Sequence, residues 1–250
     1  MPSETAAVVG AAGGVGTTRL TVECAATLAR TGRDVAVLDG AYATQGLVDH
    51  VEGRVETDLT TVVTDDTPLD AALYRFPVDA PGRVALAPVR APFERIARAK
   101  RPAAAERFAD RIAAAALSYD TVLVDVPPVG ANQAAWGVNA AARTVLVTTD
   151  SRRGADALAR MRGRLADVGA SVDAVVANFA DDEPVVESAD ARVPRAEPDS
   201  DLSAVPSCLP PDGRFAPAVA DAAGAALGTA LDLEFPEGGR LRSVLGGDSS

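Results

Sequence analysis

The stretch AAVVGAAGGVGTTRL, residues 6–20, constrains this chain more than any other. A short β-branched apolar run leads into a glycine-rich turn, and the turn leads into a helical pattern. In such a unit, successive backbone N–H groups and the positive end of the helix dipole converge on one point, making an anion site that needs no side chain. The rest of the sequence supplies a sheet to hold it. Buried-strand patterns at 6–10, 34–39, 83–88, 120–128, 143–149 and 171–179 are mostly separated by helical patterns at 18–31, 103–117, 131–142 and 155–168. That alternation predicts an α/β fold, a mainly parallel sheet with helices on both faces and ligands at the carboxyl ends of the strands.

With 250 residues and 48% apolar content, one large domain is expected over 1–230. Residues 181–203 are acidic and proline-containing with no apolar period, so they read as a loop or disordered insert, and 231–250 read as a C-terminal tail. The net charge of −11 comes from 35 acidic against 24 basic residues, and Lys100 is the only lysine. Carboxylates keep a surface hydrated in strong salt, so a halophilic cytoplasm fits this balance. A GC-rich genome gives the same preference for arginine over lysine. Cys24 and Cys208 lie on apolar segments and read as small core residues, not as a disulfide or metal pair. The opening MPSET has no basic start followed by an apolar stretch, and no apolar run approaches the roughly 20 residues a membrane span needs. A cytoplasmic protein without a membrane span is expected. The basic cluster at 90–101 reads first as a solvated linker and helix face and second as a docking patch. Nonspecific nucleic-acid binding is not expected, because strong salt screens phosphate contacts. Trp136 lies in a helical, partly apolar stretch and reads as a core or interface residue.

Two phosphate motifs overlap in the glycine turn. Gly10, Gly14 and Gly16 satisfy a dinucleotide-type pattern resembling the loop of malate dehydrogenases, with Asp39 ending the next strand where a ribose-binding carboxylate would sit. Hydride transfer needs a proton donor, and the chain offers none in a recognisable place. The one histidine is His50, and no tyrosine has a lysine four residues on. An NAD-binding protein is therefore the remote alternative.

The second motif carries further. AGGVGTTR, residues 12–19, resembles the deviant P-loop of the MinD/ParA family, Lys-Gly-Gly-x-Gly-Lys-Thr-Thr, and the resemblance extends over most of the chain. Asp39 in VAVLDGAYATQGL matches the family's aspartate at the next strand end. Asp125, Pro127 and Pro128 in YDTVLVDVPP match its Asp-x-Pro-Pro strand end. Asn178 in VVANF matches a late strand-ending asparagine, and Pro210 and Asp212 in SCLPPDGRF match the Pro-x-Asp segment that follows. The resemblance implies a three-layer P-loop NTPase architecture that binds ATP or ADP with Mg²⁺. It places Gly13, Gly14, Val15, Gly16, Thr17, Thr18 and Arg19 at the nucleotide, with Asn178, Pro210 and Asp212 about the adenine. It makes Thr18, Asp39 and Asp125 metal ligands, direct or through water, and Asp39 also the residue that orients an attacking water. It further implies a homodimer, or a heterodimer with an active family member, and a protein partner the sequence does not identify.

The departures bear on activity. Ala12 stands where the family has its signature lysine, Thr17 where it has the P-loop lysine, Ala41 where it has a second aspartate, and Phe179 where an arginine usually follows the asparagine. Losing one charge-assisted phosphate contact costs about 1.5–3 kcal/mol in binding, and losing one donor to developing charge costs about 10²–10³ in rate. Arg19 is the only nearby cation, and on a helix its side chain is expected to point outward. The function expected is a nucleotide-responsive positioning, partitioning or regulatory factor with weak or no ATP hydrolysis. A nucleotide-free interaction scaffold, a pseudo-ATPase, is the alternative.

Overall fold

A computed structural model describes residues 3–196, 205–209 and 213–235. One eight-stranded sheet organises them, in the order β3-β4-β2-β5-β1-β6-β7-β8. Its strands are β1 (Glu4–Gly10), β2 (Val35–Asp39), β3 (Tyr74–Phe76), β4 (Val84–Ala87), β5 (Thr121–Val126), β6 (Arg143–Thr149), β7 (Ala174–Ala180) and β8 (Ala191–Pro194). Every pairing is parallel except that of β3 with β4. The helices are α1 (Thr17–Arg30), α2 (Leu59–Asp65), α3 (Phe93–Ala99), α4 (Pro102–Ala115), α5 (Asn132–Ala140), α6 (Arg152–Asp167) and α7 (Phe215–Leu227).

The two-residue period of the strands sorts the core into two layers. Ala6 and Val8 of β1, Val35 and Val37 of β2 and Leu123 of β5 pack with Leu28 of α1 and Val219 of α7. Ala7 and Val9, Ala36 and Leu38, and Val122 and Val124 face the other way, toward Phe108 and Ile112 of α4, Val138 of α5 and Leu165 of α6. The expected α/β architecture with helices on both faces is what the chain forms.

β1 lies between β5 and β6, so the carboxyl ends of β1, β2 and β5 meet at the crevice where the strand order reverses. The Ala11 N–H donates to Val147 O at 2.8 Å and the Gly40 N–H to Asp125 O at 2.8 Å, tying the ends of neighbouring strands together at that edge.

The structure corrects several expectations. Residues 191–194 form β8 within the 181–203 segment expected to be irregular, and Val186 there is buried. Two of the charged residues that made this segment look solvated are tied to the sheet: Asp190 accepts the Val175 N–H at 2.8 Å, and Arg192 pairs with Asp150 at 2.8 Å. At the start of the expected tail, Leu231 and Phe235 pack against the α1/α7 layer, and Arg30 lies 5.0 Å over the Phe235 ring. Residues 236–250 lie outside the described residues. The basic cluster at 90–101 forms α3 and its flanks. Its Arg95 is held by Asp58 at 3.4 Å, while Phe93 is almost fully exposed. Trp136, read as a core or interface residue, is 42% exposed on α5 and so is not in the core. Both cysteines are buried and free, and burial raises both thiols, which keeps them protonated. Among the described residues no helix is long and apolar enough to cross a membrane.

Candidate functional site

The glycine turn closes directly on α1. Gly16 is the helix N-cap, in the left-handed region at φ 80°, and no side chain caps the first-turn N–H groups. Gly14 is also left-handed, at φ 77°. A Cβ built on Gly13 or Gly14 meets nothing within 4 Å. The loop is therefore open at its rim and presents uncapped N–H groups at its base, an arrangement that suits an anion. Thr17 faces the interior of the loop, since its Oγ1 lies 2.7 Å from where a Cβ on Gly10 would stand.

The next residue reaches the sheet. Thr18 Oγ1 donates to Asp125 Oδ2 at 2.6 Å, and Gly46 packs beside the same threonine. Asp125 and Asp39 are register partners across β5 and β2, and both are buried. Asp39 is fixed from both sides: Oδ1 accepts the Ala41 N–H at 2.8 Å and Oδ2 the Val89 N–H at 3.1 Å. Thr18, Asp39 and Asp125, matched over more than a hundred residues of sequence, are thus brought to one edge. A threonine hydroxyl and carboxylate oxygens suit a hard cation such as Mg²⁺, while the loop above them suits a phosphate. These groups fit a magnesium nucleotide, with no lysine in the loop to assist it.

Burial foremost, with the neighbouring Asp125 charge, pushes the Asp39 carboxyl up to about 8, against the pull of its two N–H donors. Burial likewise pushes Asp125 up to about 6, against the Thr18 hydrogen bond. The two groups titrate as a pair. Both sit above the unfolded value of 3.8, so the folded state holds the extra protons. Their contribution to stability is complete below pH 4 and is lost as pH rises through 6 and 8. Between those values the folded state holds more protons than the unfolded chain, so stability falls as pH rises. His50, lowered mainly by burial, works in the opposite direction near its ordinary value of 6.5, so the net fall is steepest from pH 7 to 8. Urea unfolding at constant salt should show lower stability at pH 8 than at pH 7. Equal or greater stability at pH 8 would mean that both carboxyls are already ionised in the folded protein.

Other expected site residues are engaged with neighbouring parts of the chain. Both ends of the Asn178 amide are engaged with backbone: Nδ2 donates to Val15 O at 2.9 Å, and Oδ1 accepts the Phe179 N–H at 3.0 Å. It holds the glycine loop against the end of β7. Arg19 lies along α1, with Nε 3.5 Å from Glu23 Oε1 and Nη2 donating to Ser207 Oγ at 2.7 Å. It is neither outward-pointing nor turned back over the loop. Pro210 and Asp212 lie outside the described residues, but the segment leading to them is anchored. Buried Glu23 accepts the Ser207 and Cys208 N–H groups, each at 3.0 Å. Sequence reasoning missed Glu23, whose only signal was a carboxylate between Val22 and Cys24 in a stretch of α1 with no other charge. It also missed Tyr42, fully buried beside Asp39 with its hydroxyl unpartnered and its ring edge-on to Phe108 at 5.9 Å.

From Gly16 a cleft of about 240 Å³ runs past Arg19 and Leu20 to Phe179, Arg195 and Phe215. The fold that brings the glycine loop, the threonine and the two strand-end aspartates together is found among solved structures. The chain superposes on a chain of the MinC:MinD cell division protein complex from Aquifex aeolicus with a TM-score of 0.74 and 20% identity, covering 93% of this chain and 98% of that one. The chain has the MinD/ParA fold. A ParA family ATPase from Chlorobium tepidum gives the same TM-score and identity over 88% and 97% of the two chains. The septum site-determining protein MinD from Pyrococcus horikoshii, complexed with Mg-ADP, gives a TM-score of 0.67 at 19% identity over 78% and 82%. No protein-family model and no curated protein sequence matches the chain.

Proposed function

We propose that this MinD/ParA-fold chain is a nucleotide-responsive positioning or regulatory factor that binds adenine nucleotide with Mg²⁺ weakly and hydrolyses it slowly or not at all. The observation that carries this reading is the glycine loop closing on the uncapped α1 N-terminus while Thr18 Oγ1 rests on Asp125 Oδ2. The loop N–H groups would hold the phosphates. Thr18 and Asp125, with Asp39 behind them, would hold the metal, which neutralises phosphate charge when bound. Solved structures of this fold with bound Mg-ADP support the ligand class. The loss of both lysines, at Ala12 and Thr17, supports weak binding and poor hydrolysis, because the loop then lacks a cation to offset the developing charge.

Ala12 also removes the side chain that, by the family resemblance, reaches the partner's phosphates across a face-to-face dimer. Nucleotide therefore drives homodimerisation weakly, and pairing with an active family member remains open to this chain. A protein partner in the cytoplasm completes the reading, supported by the MinC:MinD assembly of a protein with the same fold.

A thermal-shift titration in high salt tests it. At about tenfold excess over Kd, Mg-ATP or Mg-ADP stabilises by about 1.4 kcal/mol, which is about 3–5 °C for a chain of this size, and NAD⁺ gives no shift. A flat response to every nucleotide would favour the nucleotide-free scaffold. A shift with NAD⁺ alone would favour a dinucleotide site.

A further inference from the structure

We propose that Phe179 is a stacking platform for the base of the bound nucleotide, presently covered by the guanidinium of Arg195; the inference rests on the nucleotide reading given above. Three observations place the ring there. The β7–β8 register shifts between Asn178 and Ala180, leaving Phe179 out of the ladder, and bulges of this kind re-aim a side chain. Phe179 itself is left-handed at φ 57°, a conformation a bulky aromatic residue adopts only when its surroundings hold it there. Asn178 does so by accepting the Phe179 N–H while its other end is tied to the glycine loop.

The result is a ring turned toward the loop. Its Cζ lies 2.8 Å from where a Cβ on Gly16 would stand, so Phe179 packs against the residue that caps α1. Arg195 covers the ring with its guanidinium carbon 4.6 Å from the centroid. Phe179 and Arg195 line the cleft that opens from Gly16. At about 240 Å³ the cleft is smaller than the roughly 300–1,000 Å³ of whole-ligand pockets. It suits one portion of a ligand whose charged end lies outside it, on the loop.

Three polar side chains that line the cleft are already engaged. Glu23 holds two backbone N–H groups, Arg19 holds Glu23 and Ser207, and Asn178 holds Val15. The remaining way for this wall to hold a flat, uncharged group is face-on stacking. A guanidinium is itself planar and cationic, so Arg195 occupies the place a base would take. It is exposed, and it is the side chain that moves aside when the base arrives.

Calorimetry with two probes, Mg-ATP and Mg-tripolyphosphate, separates the ring from the loop. Stacking on an aromatic ring is expected to account for about 5- to 150-fold in affinity. Phe179→Ala should therefore weaken Mg-ATP by at least about fivefold and leave Mg-tripolyphosphate unchanged, while Phe179→Tyr stays near wild type. Arg195→Ala, which removes the competing cation without touching the loop, should tighten Mg-ATP about two- to fivefold. Equal Mg-ATP affinity in wild type and Phe179→Ala, or equal weakening of both probes, would overturn the platform and leave the nucleotide reading standing. If wild type binds neither probe, the nucleotide reading is overturned and this inference with it.

Discussion

Gly16→Ala should lower the melting temperature by about 5–15 °C and weaken any nucleotide binding by more than an order of magnitude, whereas Gly13→Ala should do neither. The reason is local. At Gly16 a side chain must be carried at φ 80°, which costs about 1–2 kcal/mol for a residue with a Cβ. The new Cβ would stand 2.6 Å from Asn178 Nδ2 and 2.8 Å from the Phe179 ring, so one of them must move. Moving Asn178 breaks the buried hydrogen bond to Val15 O, leaving a carbonyl without its partner at about 1–3 kcal/mol. The sum, about 2–5 kcal/mol, converts to the stated shift for a chain of this size. Gly14 is left-handed but surrounded by open space, so Gly14→Ala should fall between, at about 1 kcal/mol. Thermal melts of the three variants give the ranking Gly13, Gly14, Gly16 in order of increasing damage. A harmless Gly16→Ala would mean that the loop is not closed on Asn178.

Much of this molecule is legible in its sequence because the central elements carry their period plainly. β1, β2, β5 and β6 are short runs rich in valine, leucine, alanine and threonine, and α4 and α6 alternate apolar and polar faces. Others were hidden for physical reasons. α7, FAPAVADAAGAAL, is buried on nearly every side and so shows no amphipathic contrast. β8 is four residues long in an acidic segment that is largely exposed, and it is joined to the sheet through Asp190 and Arg192, which composition does not single out.

The candidate site divides in the same way. Thr18, Asp39 and Asp125 could be brought to one edge by their order along the chain, Thr18 in the first turn of a helix and the two aspartates at strand ends. The bonds of Arg19 and Asn178 could not, because each depends on a partner from another element. Arg19 meets Ser207, 188 residues away, and Asn178 meets Val15, 163 residues away. The turn of Phe179 toward the loop depends on a register shift that leaves no mark in composition.

Position 17 gives the most direct measurement of the proposed reading. Thr17 faces the inside of the loop, across from Gly10, so Thr17→Lys begins a longer chain where the phosphates of a nucleotide would lie. It should do so without changing the backbone, since Thr17 is already the first residue of α1 and lysine is a good helix former. One added charge-assisted hydrogen bond to phosphate is worth about 1.5–3 kcal/mol, or about one to two orders of magnitude in affinity. Adding Ala12→Lys should strengthen nucleotide-dependent dimerisation, and Asp39→Ala should abolish whatever hydrolysis the pair recovers. In a dinucleotide site the same Thr17→Lys change would do little or harm binding, since backbone groups and close helix packing hold the pyrophosphate there. The deciding measurement is the calorimetric Kd for Mg-ATP in high salt on wild type and Thr17→Lys: tightening by about 10- to 100-fold is the expected result, and an unchanged or weaker Kd in the variant would contradict the assignment of this loop as a P-loop that has lost its lysine.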